Sequence, residues 1–130
     1  MIALDTNVLV RLFVVDNPAQ AKRARALLDT AETFWIPITV MLELGWVLKS
    51  QACEPQRVAD ALAEVLACSN VSPQHPEAVY RALAWFRDGL DLPDALHLAL
   101  SGHAAQFKTF DERLQKRAAA LAISPAVTQP

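Results

Sequence analysis

Cysteine is scarce in this chain of 130 residues. The two present, Cys53 and Cys68, form no CxxC pair, and no second pair exists to complete a zinc site. They read as reduced, partly buried thiols, which suits a cytosolic protein. A basic excess is missing too. The formal net charge is −2 and the pI about 5.9. Such a protein has no whole-body attraction for nucleic acid, so chemistry on nucleic acid would need a local basic patch or a metal ion. Long apolar runs are also lacking. No stretch free of Asp, Glu, Lys and Arg exceeds that from Ala95 to Phe107, which holds two histidines and falls short of the ~18 apolar residues that span a membrane. At the start, no basic segment precedes the first apolar run and Asp5 interrupts it at once, so no secretory signal is expected. The expectation is a soluble, cytoplasmic protein that does not enter a membrane.

What is present fits a folded enzyme-sized unit. Hydrophobic residues make up 53% of the chain and charged residues 20%, which excludes a disordered chain. A chain of this length buries about 68–70% of its unfolded surface and can rest on its own core. Residues 1–130 are expected to form a single domain.

The periodicities alternate. Met1 to Leu4 reads as a buried strand, and Thr6 to Val15 as a helix with Val8, Leu9, Leu12 and Phe13 on one stripe. Asn17-Pro18 restarts a helix that runs through Leu28, with Lys22, Arg23 and Arg25 outward. Phe34 to Pro37 is a second strand. Thr39 is expected to cap a helix from Val40 to Ser50, and Pro55 to open another that ends near Ala67. Asn70 to Ser72 reads as a strand, and Pro76 opens a helix with Val79, Leu83 and Phe86 at core spacing. Asp91 begins a helix over Ala95 to Leu100 that is apolar nearly all round. Gln106 to Thr109 is a strand, Asp111 to Leu121 a helix, and Ala122 to Ser124 an edge strand. Strands alternating with helices predict an α/β fold with a parallel sheet, whose ligands bind beyond the carboxyl ends of the strands.

That rule makes four acids conspicuous. Asp5 follows the first strand, where it can equally cap the next helix. Glu43 sits among Val40, Trp46 and Val47, where an unpaired buried carboxylate would cost several kcal/mol. Asp94 lies in the first turn of the apolar helix, three residues after Asp91, which suits the cap. Asp111 lies inside a capping-box pattern, with Thr109 as cap and Glu112 reaching back. A parallel sheet would bring these positions to one edge. Two carboxylates 4 Å apart repel by about 4 kcal/mol at an effective dielectric of 20. No Lys or Arg adjoins any of the four in sequence, so a divalent ion is the expected counter-charge, and all-oxygen ligation selects Mg²⁺ or Mn²⁺. Such a site does phosphoryl chemistry: the ion activates a bound water and neutralises charge on the transferring phosphate.

The segments MIALDTNVLVRL, TVMLELGWVL, DLPDALHLAL and TFDERL, in this order and spacing, resemble the PIN-domain ribonucleases, and within them the VapC-type toxins of bacterial toxin–antitoxin pairs. The resemblance covers essentially the whole chain. It implies a three-layer α/β/α fold with a short central parallel sheet of four to five strands and about seven helices. It implies that Asp5, Glu43 and Asp94 bind Mg²⁺, with Asp111 as a fourth acid acting through water, and that Asn7 and Thr109 orient ligands. The activity implied is endoribonucleolytic hydrolysis of RNA, used to inhibit translation. The partners implied are a neutralising antitoxin and a second copy of the chain in a homodimer. The segment Asp91-Leu92-Pro93 departs from the usual pattern, which leaves open whether Asp91 also takes part.

The remaining polar residues carry weaker signals. His97 lies one turn from Asp94 and reads as a core or interface residue more readily than as a ligand, while His75 and His103 are scattered in loops. Arg113, Lys116 and Arg117 form a basic stripe beside Asp111, readable as a solvated face or as RNA or antitoxin contacts. Arg11 is a second candidate of that kind. Trp46, Trp85 and Tyr80 are expected in the core or in a dimer contact. Two competing functions stay in view. A phosphotransferase with Asp5 as nucleophile would want a second Asp where Asn7 stands and a nearby Lys. A binding module would use the acids only to hold an ion.

Overall fold

Short apolar runs become strands in this protein, and proline and asparagine punctuate the helices between them. The computed structural model describes residues 1–51 and 53–130. Among these it has five strands and seven α-helices: β1 (Ile2–Ala3), α1 (Thr6–Val10), α2 (Pro18–Leu28), β2 (Phe34–Ile36), α3 (Ile38–Ser50), α4 (Pro55–Ala67), β3 (Val71–Pro73), α5 (Pro76–Arg87), α6 (Leu92–Leu100), β4 (Gln106–Lys108), α7 (Glu112–Ala120) and β5 (Ala126–Thr128). The α/β class, the helix count and the parallel pairing match expectation. No helix among the described residues is long and apolar enough to cross a membrane.

The chain divides into two compact units, Met1–Pro76 and Glu77–Pro130. In the first, three strands pair in parallel in the order β1-β2-β3, with Ile2 opposite Phe34 and Phe34 opposite Val71. In the second, β4 pairs in parallel with β5, Gln106 opposite Ala126. The four to five strands expected in one sheet thus form two ladders among the described residues. The strands are only two or three residues long, so each ladder has few bonds. Pro73, which cannot donate to a ladder, lies in β3 at an edge of its sheet.

Burial follows the period of each element. In the first unit Phe34, Ile36, Leu9, Leu44, Leu48 and Leu62 are fully buried. In the second, Ala82, Ala95 and Leu98 are, and α6 buries five of its residues, in keeping with its apolar sequence. The expected burial of β1 is not realised: Ile2 and Ala3 are exposed, and only Leu4 is enclosed. Nor are two aromatics in the core. Trp46 is 69% exposed and Tyr80 is 51% exposed.

Helix ends show where local chemistry set the boundaries. Asn17 caps α2 as expected, its side chain accepting from the Gln20 N–H at 3.1 Å. The predicted helix from Thr6 to Val15 stops at Val10, and the chain closes with tighter turns to Leu9 and Val10. β-branched Val8, Val10, Val14 and Val15 weaken the helix there. α3 starts at Ile38, two residues before the expected point, and Thr39 does not cap it. The Ile38 N–H, which has no partner within the helix, donates to the Gln74 side chain at 3.0 Å instead. A partner 36 residues away is invisible to a local pattern.

At the end of α5, Gly89 has φ +110 and the chain closes a Schellman motif, with Leu90 N–H donating to the Trp85 carbonyl and Gly89 N–H to Phe86. This turn delivers Asp91 to the start of α6. The same motif ends α7, where Ala122 takes φ +53 and Ile123 N–H donates to Ala118. It pushes the last strand to Ala126–Thr128, beyond the predicted Ala122–Ser124.

Candidate functional site

The first unit places two acids on one cavity. Asp5 ends the extended segment after β1 and is the N-cap of α1; its Oδ1 accepts from the Thr6 N–H at 2.8 Å. The next strand, β2, runs through Pro37 into α3, which carries Glu43 in its second turn. Both acids therefore follow the carboxyl ends of neighbouring parallel strands. They line a cavity of about 230 Å³ together with Thr6, Asn7 and Arg11. Glu43 is exposed. The desolvation argument raised for it from its apolar neighbours is therefore overturned: Trp46 beside it faces solvent, and Val40 and Val47 are only half-buried.

Two details of this cavity bear on what it can hold. Thr6 is 3% exposed and its buried hydroxyl has no hydrogen-bond partner. A buried hydroxyl left unmade costs about 1–3 kcal/mol, which a water or ion in the adjoining cavity would relieve. The second detail corrects the expectation that no basic residue adjoins the acids. Arg11 is on the cavity wall, brought there by the turn that follows α1. Its guanidinium is already committed, pairing with Asp16 and donating through Nε to the Gln20 side chain at 2.7 Å.

The second unit groups the other acids. Asp91 holds the N-cap position of α6 but makes no side-chain capping bond, and Asp94 follows in the first turn. Burial raises the proton affinity of the half-buried Asp94; the negative charges of Asp91 and Asp111 raise it further, and His97 opposes them. Asp111 is thus close enough to act on Asp94. His97 itself is exposed and so is not a core residue.

Capping in this unit differs from the pattern read from the sequence. Asp111, not Thr109, caps α7: its Oδ1 accepts from the Leu114 N–H at 3.0 Å. Thr109 supports it one step back, its hydroxyl accepting from the Asp111 N–H at 3.0 Å. One carboxylate oxygen of Asp111 is left for other work. Among the basic residues, Arg117 is committed to the Gly89 carbonyl and so braces the turn before α6. Arg113 and Lys116 are exposed.

The donor set suits a hard cation. Every candidate ligand is an oxygen, which favours Mg²⁺ or Mn²⁺ over zinc. Among the described residues no three His, Cys, Asp or Glu side chains stand close enough to hold a metal by themselves. Mg²⁺ does not need three: it commonly takes one or two carboxylates and completes its shell with water and substrate phosphate. The Asp5–Glu43 cavity, with its orphaned hydroxyl, fits that requirement.

Comparison with known proteins gives one strong result. The family profile of the PIN domain matches residues 2–121. Among solved structures, a toxin–antitoxin complex from Klebsiella pneumoniae is similar at 24% identity, covering 98% of this chain and 95% of that one, with a TM-score of 0.38. None of the curated proteins compared matches the chain significantly.

Proposed function

The chain belongs to the PIN-domain family, and from that premise we propose that it is a metal-dependent endoribonuclease, the toxin of a type II toxin–antitoxin pair. One observation carries the catalytic part of this reading: Asp5 and Glu43 meet on a cavity beyond the carboxyl ends of two parallel strands, beside a buried hydroxyl with no partner. Ligand sites of parallel sheets lie at that edge. The toxin part is supported by the likeness of four sequence segments to VapC-type proteins.

In this reading Asp5, Glu43, Asp94 and Asp111 serve one reaction within a single domain. Mg²⁺, or Mn²⁺ in its place, supplies Lewis-acid chemistry when bound, lowering the pKa of a water and offsetting charge on the phosphate. Asp5 and Glu43 would hold the ion, Asp5 oriented by its bond to the Thr6 amide. Thr6 and Asn7 orient water at the cavity wall. Asp94 would be the third ligand; burial first, and then the charges of Asp91 and Asp111, raise its proton affinity, and a bound cation would favour its ionised form. Asp91, exposed at the cap position, stays outside this set. Asp111 uses its free oxygen to position water, while Thr109 holds its backbone. The substrate is RNA in the cytoplasm, and single-stranded loops are the segments most open to attack. The antitoxin and a homodimer complete the set of partners, with Arg113 and Lys116 available for RNA or antitoxin.

The test is cleavage of a panel of structured RNAs with and without Mg²⁺. The native chain should cut in Mg²⁺, stop in EDTA, and lose activity in Asp5→Ala and Asp94→Ala. Equal inertness of native and variant chains across the panel would sink the enzyme reading in favour of a binding module. A phosphate trapped covalently on Asp5 would replace it with a phosphotransferase.

A further inference from the structure

A second cavity adjoins the first. It has a volume of about 510 Å³, lies between α1 and α2, and shares Asn7 and Arg11 with the Asp5–Glu43 cavity. Its other polar walls are Gln20 and Arg23, and its apolar surface includes Val8 and Leu27. The volume falls within the range of pockets that hold small organic ligands, roughly 300–1,000 Å³.

The polar groups on this wall are ordered by their own bonds. Arg11 donates to Gln20 Oε1, which orients the Gln20 amide and leaves both its N–H donors unused by that bond. Asp16 neutralises Arg11. Arg23 is exposed and has no hydrogen-bond or ion-pair partner among the described residues. Helix α2 carries Lys22, Arg23 and Arg25 and no acid, in a chain whose net charge is −2. The cavity therefore offers an uncommitted guanidinium, amide donors and an apolar floor. This is the chemistry of a nucleotide: anionic phosphate, hydrogen-bonding base edge and flat apolar base face.

We infer that this cavity holds the nucleotide adjoining the phosphodiester that is cut, with Arg23 on a phosphate and Gln20 on the base. The inference rests on the reading of the Asp5–Glu43 cavity as the place of cleavage. Asn7 and Arg11 line both cavities, so the two are neighbours and a strand that runs past these residues would meet both. An acidic peptide would also satisfy Arg23, but it would carry uncompensated negative charge toward Asp5 and Glu43. A substrate phosphate arrives there with the cation it shares.

Binding is measured by anisotropy of a short labelled single-stranded RNA with Ca²⁺ in place of Mg²⁺, which keeps a divalent cation beside Asp5 and Glu43 while withholding Mg²⁺. Arg23→Ala should weaken binding about fivefold to tenfold at low salt and reduce the slope of log K against log salt by about 0.7, the value for one cation on a single strand. Arg23→Lys should restore the slope. In Mg²⁺, Arg23→Ala should raise KM with kcat retained, and Gln20→Ala should change which sites are cut. If the native chain cleaves RNA while Arg23→Ala leaves affinity, salt slope and cut sites unchanged, the assignment is overturned and the nuclease reading survives. If RNA binding depends on Arg23 in a chain that cleaves nothing, the cavity stands as an RNA site and the nuclease reading falls.

Discussion

The two units hold their acids by different means. In the first, neither carboxylate is strongly engaged: Asp5 accepts one short bond from the next residue, and Glu43 projects from the middle of a helix into an open cavity. In the second, Asp111 is a structural cap as well as a candidate site residue, and Asp94 is partly withdrawn from water in the field of two other acids. A helix cap costs nothing to use twice, since a carboxylate has two oxygens. A half-buried acid among like charges is unfavourable until a cation or a proton arrives. The first unit thus presents carboxylates that are lightly engaged, and the second presents one, Asp94, that is ionised at a cost to stability.

The largest expected effect asks whether both kinds serve one reaction. Asp5→Asn, Glu43→Gln and Asp94→Asn should each lower the single-turnover rate of RNA cleavage in Mg²⁺ by at least about a hundredfold. Asp111→Asn should lose less, about tenfold, because asparagine still caps α7 and the lost role is to position water. The double variant Asp5→Asn with Asp94→Asn decides the matter. Groups that act as a unit give losses far from additive, so the double variant should be little worse than either single one. Fully multiplied losses would separate the two units into independent roles.

Most of what carries this comparison could be read from local sequence. Asn17-Pro18 and Pro55 opened helices where a cap and a fixed φ demand, and Asp5 and Asp111 follow the ends of β1 and β4 after one and two intervening residues. What stayed hidden depended on contacts distant in sequence or on competition between equal candidates. Gln74 starts α3 early from 36 residues away. Thr109 and Asp111 both suit a cap, and geometry, not composition, gave the bond to Asp111. Arg11 lies six residues beyond Asp5, yet the early end of α1 turns it onto the acid cavity. Glu43 was picked out on a premise of burial that does not hold; its place on the cavity comes from the passage of β2 directly into α3. Arg23 looked like one more solvated cation on α2, because its cavity needs α1 as the opposite wall.

A stability measurement sharpens the contrast between the two caps. Asp111 takes the amide three residues on, which is the favourable capping bond, while Asp5 takes the amide of the adjacent residue. Asp111→Ala should therefore destabilise the protein by about 1 kcal/mol and Asp5→Ala by less than about 0.5 kcal/mol, the low end of the capping range. Asp111→Asn should recover most of the loss. Urea unfolding in EDTA measures all three; equal losses at positions 5 and 111 would remove the distinction between a committed and an uncommitted cap.

The smallest effect tests the claim that Asp94 is held at a cost. Its proton affinity is raised above the ordinary value of 3.8, chiefly by burial. The folded state then binds that proton more tightly than the unfolded state, so ionised Asp94 subtracts stability. The penalty is full at pH values above the folded pKa and is relieved as pH falls through it toward 3.8. In EDTA at neutral pH, Asp94→Asn should melt slightly above the native chain, and the gap should close as the solution is acidified toward that value. Adding Mg²⁺ at neutral pH should reverse the order, because a ligand that binds only the folded state stabilises it, by about 2.7 kcal/mol at a hundred times its Kd. The native chain should gain and Asp94→Asn should gain much less. Equal gains from Mg²⁺ in the two proteins would leave the ion with the first unit alone and would make the raised proton affinity of Asp94 a matter of packing.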